Sequence, residues 1–406
     1  MRIRFRVHRL PASLSSSHGS GVWWNDRPDS AAIGVDIGSD HIAVVSVTED
    51  CEVLDTTCLR YSFDATGGVA GLVDPDSVVD TAFTAVRQIA LACAARGRHV
   101  SCLAFGASNE DAIIAVDEAT MAMTPSISGA GMSVESWAWL IDAVAGGEIT
   151  RSTGFPVHGG STAARIAWFI SHDNALRHAS WCGLKDFVAS RFYGRLVADL
   201  SGASAMGLLD RKSMGWSTAA LSPLGLRPDQ LPPLMRSEQS FPITEEAAEL
   251  AGLDRSTAVV VGGSGACVAP LTMGLHRPDA AMVHPSLLGV LCALGDGPAE
   301  SVPSTVGVGG CWLLAGRDVA DLRAAGIGVG VIRVAAGMRD SQEVAMDIAD
   351  SQGVPVEMSA VDEPVAVGAA VLGWYTVGVL PSLDATALMF PPDQVFYPRT
   401  GACQDS

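Results

Sequence analysis

Residues 31–47 read Ala31-Ala32-Ile33-Gly34-Val35-Asp36-Ile37-Gly38-Ser39-Asp40-His41-Ile42-Ala43-Val44-Val45-Ser46-Val47. Ile33, Val35 and Ile37 alternate with small or polar residues. Ile42, Val44, Val45 and Val47 follow a Gly-Ser-Asp turn. Apolar residues at strand spacing on both sides of a glycine turn predict a β-hairpin. A turn of small residues leaves backbone N–H groups free to meet a phosphate. Asp36, closing the incoming strand ahead of Gly38 and Ser39, is a candidate carboxylate for the phosphate or Mg²⁺ side of such a site. Capping the turn is the competing role for the same residue.

Outward from the hairpin, residues 76–95 carry Val78, Val79, Phe83, Val86, Ile89, Ala90 and Cys93 at helical spacing. Residues 99–105 and 112–116 read as short strands around an Asn109-Glu110-Asp111 turn. Helices are expected at 161–171, 185–193 and 245–252, with the Pro-rich stretch 223–233 as a loop. A second set of strands is expected from residue 258: 258–262, 280–285, 289–294 and 332–336. Helices at 340–351 and 364–377 follow, and the chain from Pro391 reads as a tail. Two α/β halves, each opening with a strand and a glycine turn, imply two domains around a cleft. The division is residues 31–250 and 251–390, with 391–406 as the tail. Residues 1–30 read as a disordered extension; a transit-like leader and a start codon read too early are the alternatives.

Composition narrows the function. The 406 residues are 48% apolar, enough for sizeable cores. The net charge is −18, and the first 30 residues carry five Arg against two Asp, which leaves −21 on residues 31–406. So acidic a body is a poor nucleic-acid binder, because phosphate contacts need a basic face. Only Lys185 and Lys212 are lysines, so a lysine clamp on a phosphate has few candidates. The nine cysteines are scattered with no C-x-x-C, which reads as free thiols in a reducing cytoplasm, without a disulfide framework or a structural metal. The longest uncharged stretch, 256–276, is broken by glycines and a proline and reads as a buried strand and turn, so no membrane partner is expected.

Two further passages weave polar residues through small ones. One is Thr153-Gly154-Phe155-Pro156-Val157-His158, followed by Arg165-Ile166-Ala167-Trp168-Phe169. The other runs from Asp199 and Ser201 through Ala203-Ser204 and Gly207-Leu208 to Asp210, ahead of Trp216. Such weaving suits a helix packed closely on a loop and does not by itself identify a reaction.

Taken in order with the hairpin, these passages resemble the FGGY family of carbohydrate kinases, most closely its gluconokinase and xylulokinase branches. Gly183-Leu184-Lys185-Asp186-Phe187, residues 259–274, and residues 335–350 with Pro364-Val365-Ala366-Val367-Gly368-Ala369-Ala370 extend the resemblance over residues 31–380. It implies two actin-like, ribonuclease-H-like α/β domains around a central cleft, the second shortened. It implies ATP and Mg²⁺ as cofactors if the protein is active, a sugar or sugar acid as the small-molecule partner, and a homodimer among the assemblies allowed. By the same resemblance Asp36, Gly38 and Ser39 fall on the phosphate and metal side, and His158, Arg165 and Lys185 on the substrate side. Ala336, Gly337, Met338 and Ser341 fall on the nucleotide.

The departures from the family pattern fall on the chemistry. A Gly-Gly-x-Asp supplies the family's catalytic base; here the run is Gly262-Gly263-Ser264-Gly265, so Gly265 stands at the base position. Loss of a positioned base costs about 10²–10⁴ in rate. The second phosphate turn is Pro285-Ser286-Leu287-Leu288 in place of Gly-Thr-Ser-Gly. Asp40 and Ala43 replace a Thr and a basic residue in the hairpin. Met338 replaces a purine-side Gly, and residues 303–332 are compressed. Together these imply an inactive or strongly impaired kinase, a pseudokinase. The alternatives are an active gluconate- or xylulose-type kinase with a displaced base, a carboxylate such as Asp40, and a fold put to a non-kinase use.

Overall fold

The computed structural model describes residues 29–61, 72–108, 112–127, 134–274, 279–283, 290–335 and 341–399. Two mixed sheets organise them. The first has six strands in the order Ser240–Pro242, Ala258–Ser264, His99–Ala107, Ser30–Ile37, His41–Val47, Val53–Arg60. The hairpin expected at residues 31–47 is its centre: Ser30–Ile37 pairs antiparallel with His41–Val47, Asp36 opposite Ala43. Ser30–Ile37, His99–Ala107 and Ala258–Ser264 run parallel side by side.

The second sheet has seven strands, in the order Ser304–Val306, Trp312–Gly316, Leu291–Gly295, Ala280–Val283, Val331–Val334, Val356–Ser359, Pro392–Phe396. Ala280–Val283, Val331–Val334 and Val356–Ser359 are its parallel core, and the hairpin neighbours are antiparallel. Both sheets place a parallel trio beside an antiparallel meander and close on an antiparallel edge strand, so the topology repeats although the sequence does not.

The first sheet is covered on one face by the helix Pro75–Ala95, whose Val78, Ala82, Val86, Ile89 and Cys93 enter the core. Asp74 caps it, accepting from the Asp76 N–H, and Pro75 opens its first turn, where a missing N–H costs nothing. By length and composition alone this helix is apolar enough to cross a membrane, but its apolar stripe lies in the core of the first sheet. The other face meets the helix Pro364–Thr376, with ten consecutive buried residues from Val365 to Trp374. Gly34 makes that approach possible: a β-carbon there would fall 1.8 Å from the Ala366 carbonyl oxygen. The same helix shares its core with Ala280, Met282, Cys292 and Val331 of the second sheet, so it lies between the two.

Four features differ from the sequence reading. The strand at 258–264, expected to open the second set, hydrogen-bonds into the first sheet; an all-apolar run does not say which sheet it joins. Pro392–Phe396, expected as tail, pairs with Val356–Ser359 as an edge strand; being short, exposed and Pro-led, it carries little strand pattern. The edge strand Val53–Arg60 and the helix Glu135–Thr153 had no sequence expectation. The helix has apolar residues around its whole circumference and a Gly146-Gly147 pair, which hides its period. The compressed stretch 303–332 is ordered as two strands and the helix Val319–Ala324.

Candidate active site

The three parallel strands of the first sheet end at one edge, where ligands of open α/β sheets bind. Asp36 sits beside Gly106, Gly263 is also in register with Gly106, and Ser264 with Ala107. The Asp36 turn and the Gly265 turn therefore share that edge.

Asp36 is buried. Its carboxylate accepts from the Ser108 N–H at 2.9 Å and from the Ser108 hydroxyl at 2.6 Å. Burial raises its pKa, against those two bonds and the nearby His41. The hairpin turn is tied inward: the Gly38 N–H donates to the His41 carbonyl at 2.9 Å, and the Gly38 carbonyl accepts from the Tyr61 hydroxyl. Ser39 lies in the same turn.

Asp40, weighed from sequence as a displaced base, is a poor one. Its carboxylate bonds the His41 ring at 2.7 Å and Arg60 at 3.0 Å, and the His41 bond leads in holding its pKa below the ordinary carboxylate range. Ala43 is fully buried in the sheet.

Gly265 opens the short helix Gly265–Val268. A β-carbon on it would lie 2.7 Å from the Ala107 carbonyl oxygen and 3.2 Å from Val365 Cγ2. The first approach is to a backbone atom, so a side chain at 265 requires the strand end to shift, while the second needs Val365 to give by a few tenths of an ångström. The preceding Gly262 has φ +78°, and a β-carbon there would lie 1.7 Å from the Phe105 carbonyl oxygen. The first turn of the helix Pro364–Thr376 thus roofs the strand ends, and its Val365 occupies the space above Gly106 and Gly265.

Glu363, ahead of that helix, had no sequence expectation. It holds a left-handed backbone (φ 54°, ψ 55°) and is half-buried. Burial and then the charge of Asp36 raise its pKa, so the two carboxylates face a common region. Only its place, directly before a Pro-led helix, could have signalled it.

The substrate-side candidates separate. Lys185 is 5% exposed; its Nζ lies 2.8 Å from Asp186, 3.0 Å from Asp199 and 3.2 Å from the Val261 carbonyl. Burial opposes its charge, but the two carboxylates outweigh burial and hold the ammonium above the ordinary lysine range. One cation cannot fully compensate two anions, and burial lifts Asp186 to about 6 despite Lys185. Asp199 caps the helix Leu200–Ala205, accepting from the Gly202 N–H at 2.8 Å and the Ser201 hydroxyl at 2.5 Å. Ser201 in turn accepts from the Ser264 N–H at 2.9 Å, which joins this network to the strand end before Gly265.

A cavity of about 20 Å³ lies there, lined in part by Ala107, Lys185, Asp186, Gly202 and Ser264. It holds about one water and no sugar. His158 is exposed in the loop before Thr162–His172, with Nδ1 accepting from the Gly160 N–H at 3.1 Å. Arg165 is 1% exposed inside that helix. Neither is among the groups lining the cavity. Ala336, Gly337, Met338 and residues 285–288 lie outside the described residues. Ser341 opens the helix Ser341–Gln352. Among the described residues, no group of three or more His, Cys, Asp or Glu is arranged to hold a metal ion.

Over residues 31–271 the chain matches the FGGY family of carbohydrate kinases, N-terminal domain. It is 24% identical over 270 residues to the gluconokinase of Bacillus subtilis (strain 168), covering 66% of this chain and 52% of that one. Over 134 residues it is 35% identical to the autoinducer-2 kinase of Escherichia coli (strain K12), covering 32% of this chain and 25% of that one. The chain spans about half the length of the gluconokinases it matches. A xylulose kinase from Rhodospirillum rubrum superimposes with a TM-score of 0.82 at 16% identity, over 91% of this chain and 94% of that one. A gluconate kinase from Lactobacillus acidophilus superimposes with a TM-score of 0.78 at 16% identity, with the same coverage. The fold is that of the actin-like, ribonuclease-H-like pair of α/β domains.

Proposed function

Because this chain belongs to the FGGY family of carbohydrate kinases, we propose that it is a sugar- or sugar-acid-binding member of gluconate or xylulose type in which phosphoryl transfer from ATP is lost or strongly impaired. The single observation carrying this reading is the crowding at Gly265: the family's base position has no side chain, and a β-carbon there would press on the Ala107 carbonyl oxygen at 2.7 Å. A sugar hydroxyl aligned on a γ-phosphate needs a proton acceptor at that point.

In this reading residues 31–250 form the sugar side and 251–390 the ATP side, with Ala258–Ser264 contributed across to the first sheet. Asp36 fits a Mg²⁺-facing role. Each of its oxygens accepts one bond from Ser108 and keeps lone pairs for a hydrated cation. With Gly265 opposite, the cation would depend on nucleotide phosphates for the rest of its shell. When bound, Mg-ATP would supply the transferable phosphoryl group; Ala336, Gly337, Met338 and Ser341 are the proposed nucleotide side. Lys185 is given a positioning role, holding Asp199 and through it the helix beside Ser264. Eight cysteines among the described residues are free thiols, in keeping with a cytoplasmic place.

A second reading has one specific observation in its favour. Glu363 shares the strand-end edge with Asp36 and has a raised pKa, as a displaced base needs. A coupled ADP-release assay over a panel of sugars and aldonic acids separates the two. The expected result is no sugar-dependent turnover. Sugar-dependent turnover that Glu363→Gln abolishes would establish the second reading.

A further inference from the structure

One hairpin of the second lobe reaches the first. The strands Ser304–Val306 and Trp312–Gly316 pair antiparallel, with Val306 opposite Trp312. Val306 is buried, and it and Trp312 pack with Ala203, Leu209, Trp216 and Leu234 of the first lobe in a small apolar cluster. Polar bonds fasten the same contact. The Val306 N–H donates to Ser204 Oγ at 3.1 Å, its carbonyl accepts from Cys267 Sγ at 3.4 Å, and the Gly309 N–H donates to the Glu238 carboxylate.

The partner surface is the helix Leu200–Ala205. Its cap, Asp199, holds Lys185; Ser201 holds the Ser264 N–H; Ser204 holds Val306. One short helix therefore ties the substrate-side lysine, the strand end before Gly265 and the hairpin of the second lobe. With the hairpin seated, the cavity beside Lys185 has room for about one water.

We propose that the hairpin of residues 304–316 is an inter-lobe latch, which holds the two lobes against each other. Its apolar pair, Val306 and Trp312, supplies non-directional attachment. The bonds to Ser204, Cys267 and Glu238 fix the register. Cys267 reports on the latch directly: it is 3% exposed, it lies in the short helix that follows the first-sheet strand Ala258–Ser264, and its thiol bonds the Val306 carbonyl. Cys93 and Cys182 are equally buried but belong to other cores, so they report on global opening instead.

The test is maleimide labelling of the full native chain without ligand, read cysteine by cysteine by peptide mass spectrometry. In the wild type Cys267 is expected to label at least a hundredfold more slowly than the exposed Cys58. Trp312→Ala is expected to speed Cys267 labelling at least tenfold while Cys93 and Cys182 keep their rates. Should Trp312→Ala fail to fold, Ser204→Ala removes one bond of the latch and is expected to raise the Cys267 rate several-fold. Wild-type Cys267 labelling as fast as Cys58 would overturn the proposal. So would a Cys267 rate unmoved by Ser204→Ala, or one that rises only in step with Cys93 and Cys182. No sugar or nucleotide is used, so the outcome is independent of the proposed substrate.

Discussion

The carbonyl oxygen of Ala107 lies 2.7 Å from where a β-carbon on Gly265 would stand. That distance changes what the missing aspartate means. A restored carboxylate has to push apart the ends of two adjacent parallel strands before it can reach a substrate. Gly265→Asp is therefore expected to leave sugar-dependent ADP release at the wild-type level and to destabilise the fold by about 1–3 kcal/mol, the usual range for overpacking. Gly265→Ala should already show part of that loss. Denaturant midpoints and the coupled assay check both; turnover gained by Gly265→Asp without loss of stability would show that the strand ends yield.

Lys185 is the next position where burial decides the outcome. It is the cation beside two buried carboxylates, Asp186 and Asp199. Removing one partner of a buried ionic group costs about 3–5 kcal/mol, because uncompensated charge stays behind. Lys185→Met is expected to fall in that range. Lys185→Met with Asp186→Asn should recover part of the loss, and the double-mutant cycle from chemical denaturation measures how much. An additive cycle would mean that the two residues do not share one charge balance.

Much of this arrangement was legible in the residues. The hairpin around Asp36 declares itself by alternation and a glycine turn, and the Asp199 to Asp210 passage by polar residues woven through small ones. What the sequence hides is mostly long-range. Nothing local to 258–264 tells which sheet it joins, since both faces of that strand are apolar. The burial of Lys185 depends on Asp199 and Val261, 14 and 76 positions away. Gly265 reads as a lost base in sequence; only the approach of Val365, a hundred residues later, shows that the position is also closed. Glu363 has no motif of its own, and its nearness to Asp36 exists only once the last helix crosses onto the first sheet.

That crossing supplies a third prediction. Gly34 faces the helix Pro364–Thr376 so closely that a β-carbon would fall 1.8 Å from the Ala366 carbonyl oxygen and 2.7 Å from the Ala370 nitrogen. Both are backbone atoms and cannot rotate away. Gly34→Ala is expected to be more damaging than Gly97→Ala, although Gly97 has φ +69° and Gly34 does not, because nothing stands within 4 Å of Gly97. A strained φ at an open site costs about 1 kcal/mol, whereas a helix forced off a sheet loses packed core. Thermal melts of the two variants give the order; a reversed order would mean that the helix shifts freely.

The pH dependence of stability follows from the same buried carboxylates. Burial leads in lifting Asp186 to about 6 from an ordinary value near 3.8. The folded chain thus takes up a proton between those values where the unfolded chain does not. The stabilisation from that proton is fully present below about pH 4 and is lost as pH rises through 6. Asp36 and Glu363 are raised by burial as well and act in the same direction. Asp210 has the opposite sign. Its bond to the Ser152 hydroxyl leads in lowering it to about 2, so its contribution is present above pH 4 and is lost on acidification toward 2. It is only half-buried, so solvent screens it and its share is correspondingly small. The melting temperature is therefore expected to fall by about a few degrees between pH 4.5 and 6.5, in the absence of any ligand. Asp186→Asn should flatten that fall, because its amide carries no charge to suppress at neutral pH, while Asp199 remains to pair with Lys185. Asp210→Asn should leave the fall between pH 4.5 and 6.5 unchanged and remove part of the loss below pH 4. Melts of the three chains across pH 3 to 8 decide it: a wild-type slope that Asp186→Asn reproduces in full would place the titrating group elsewhere.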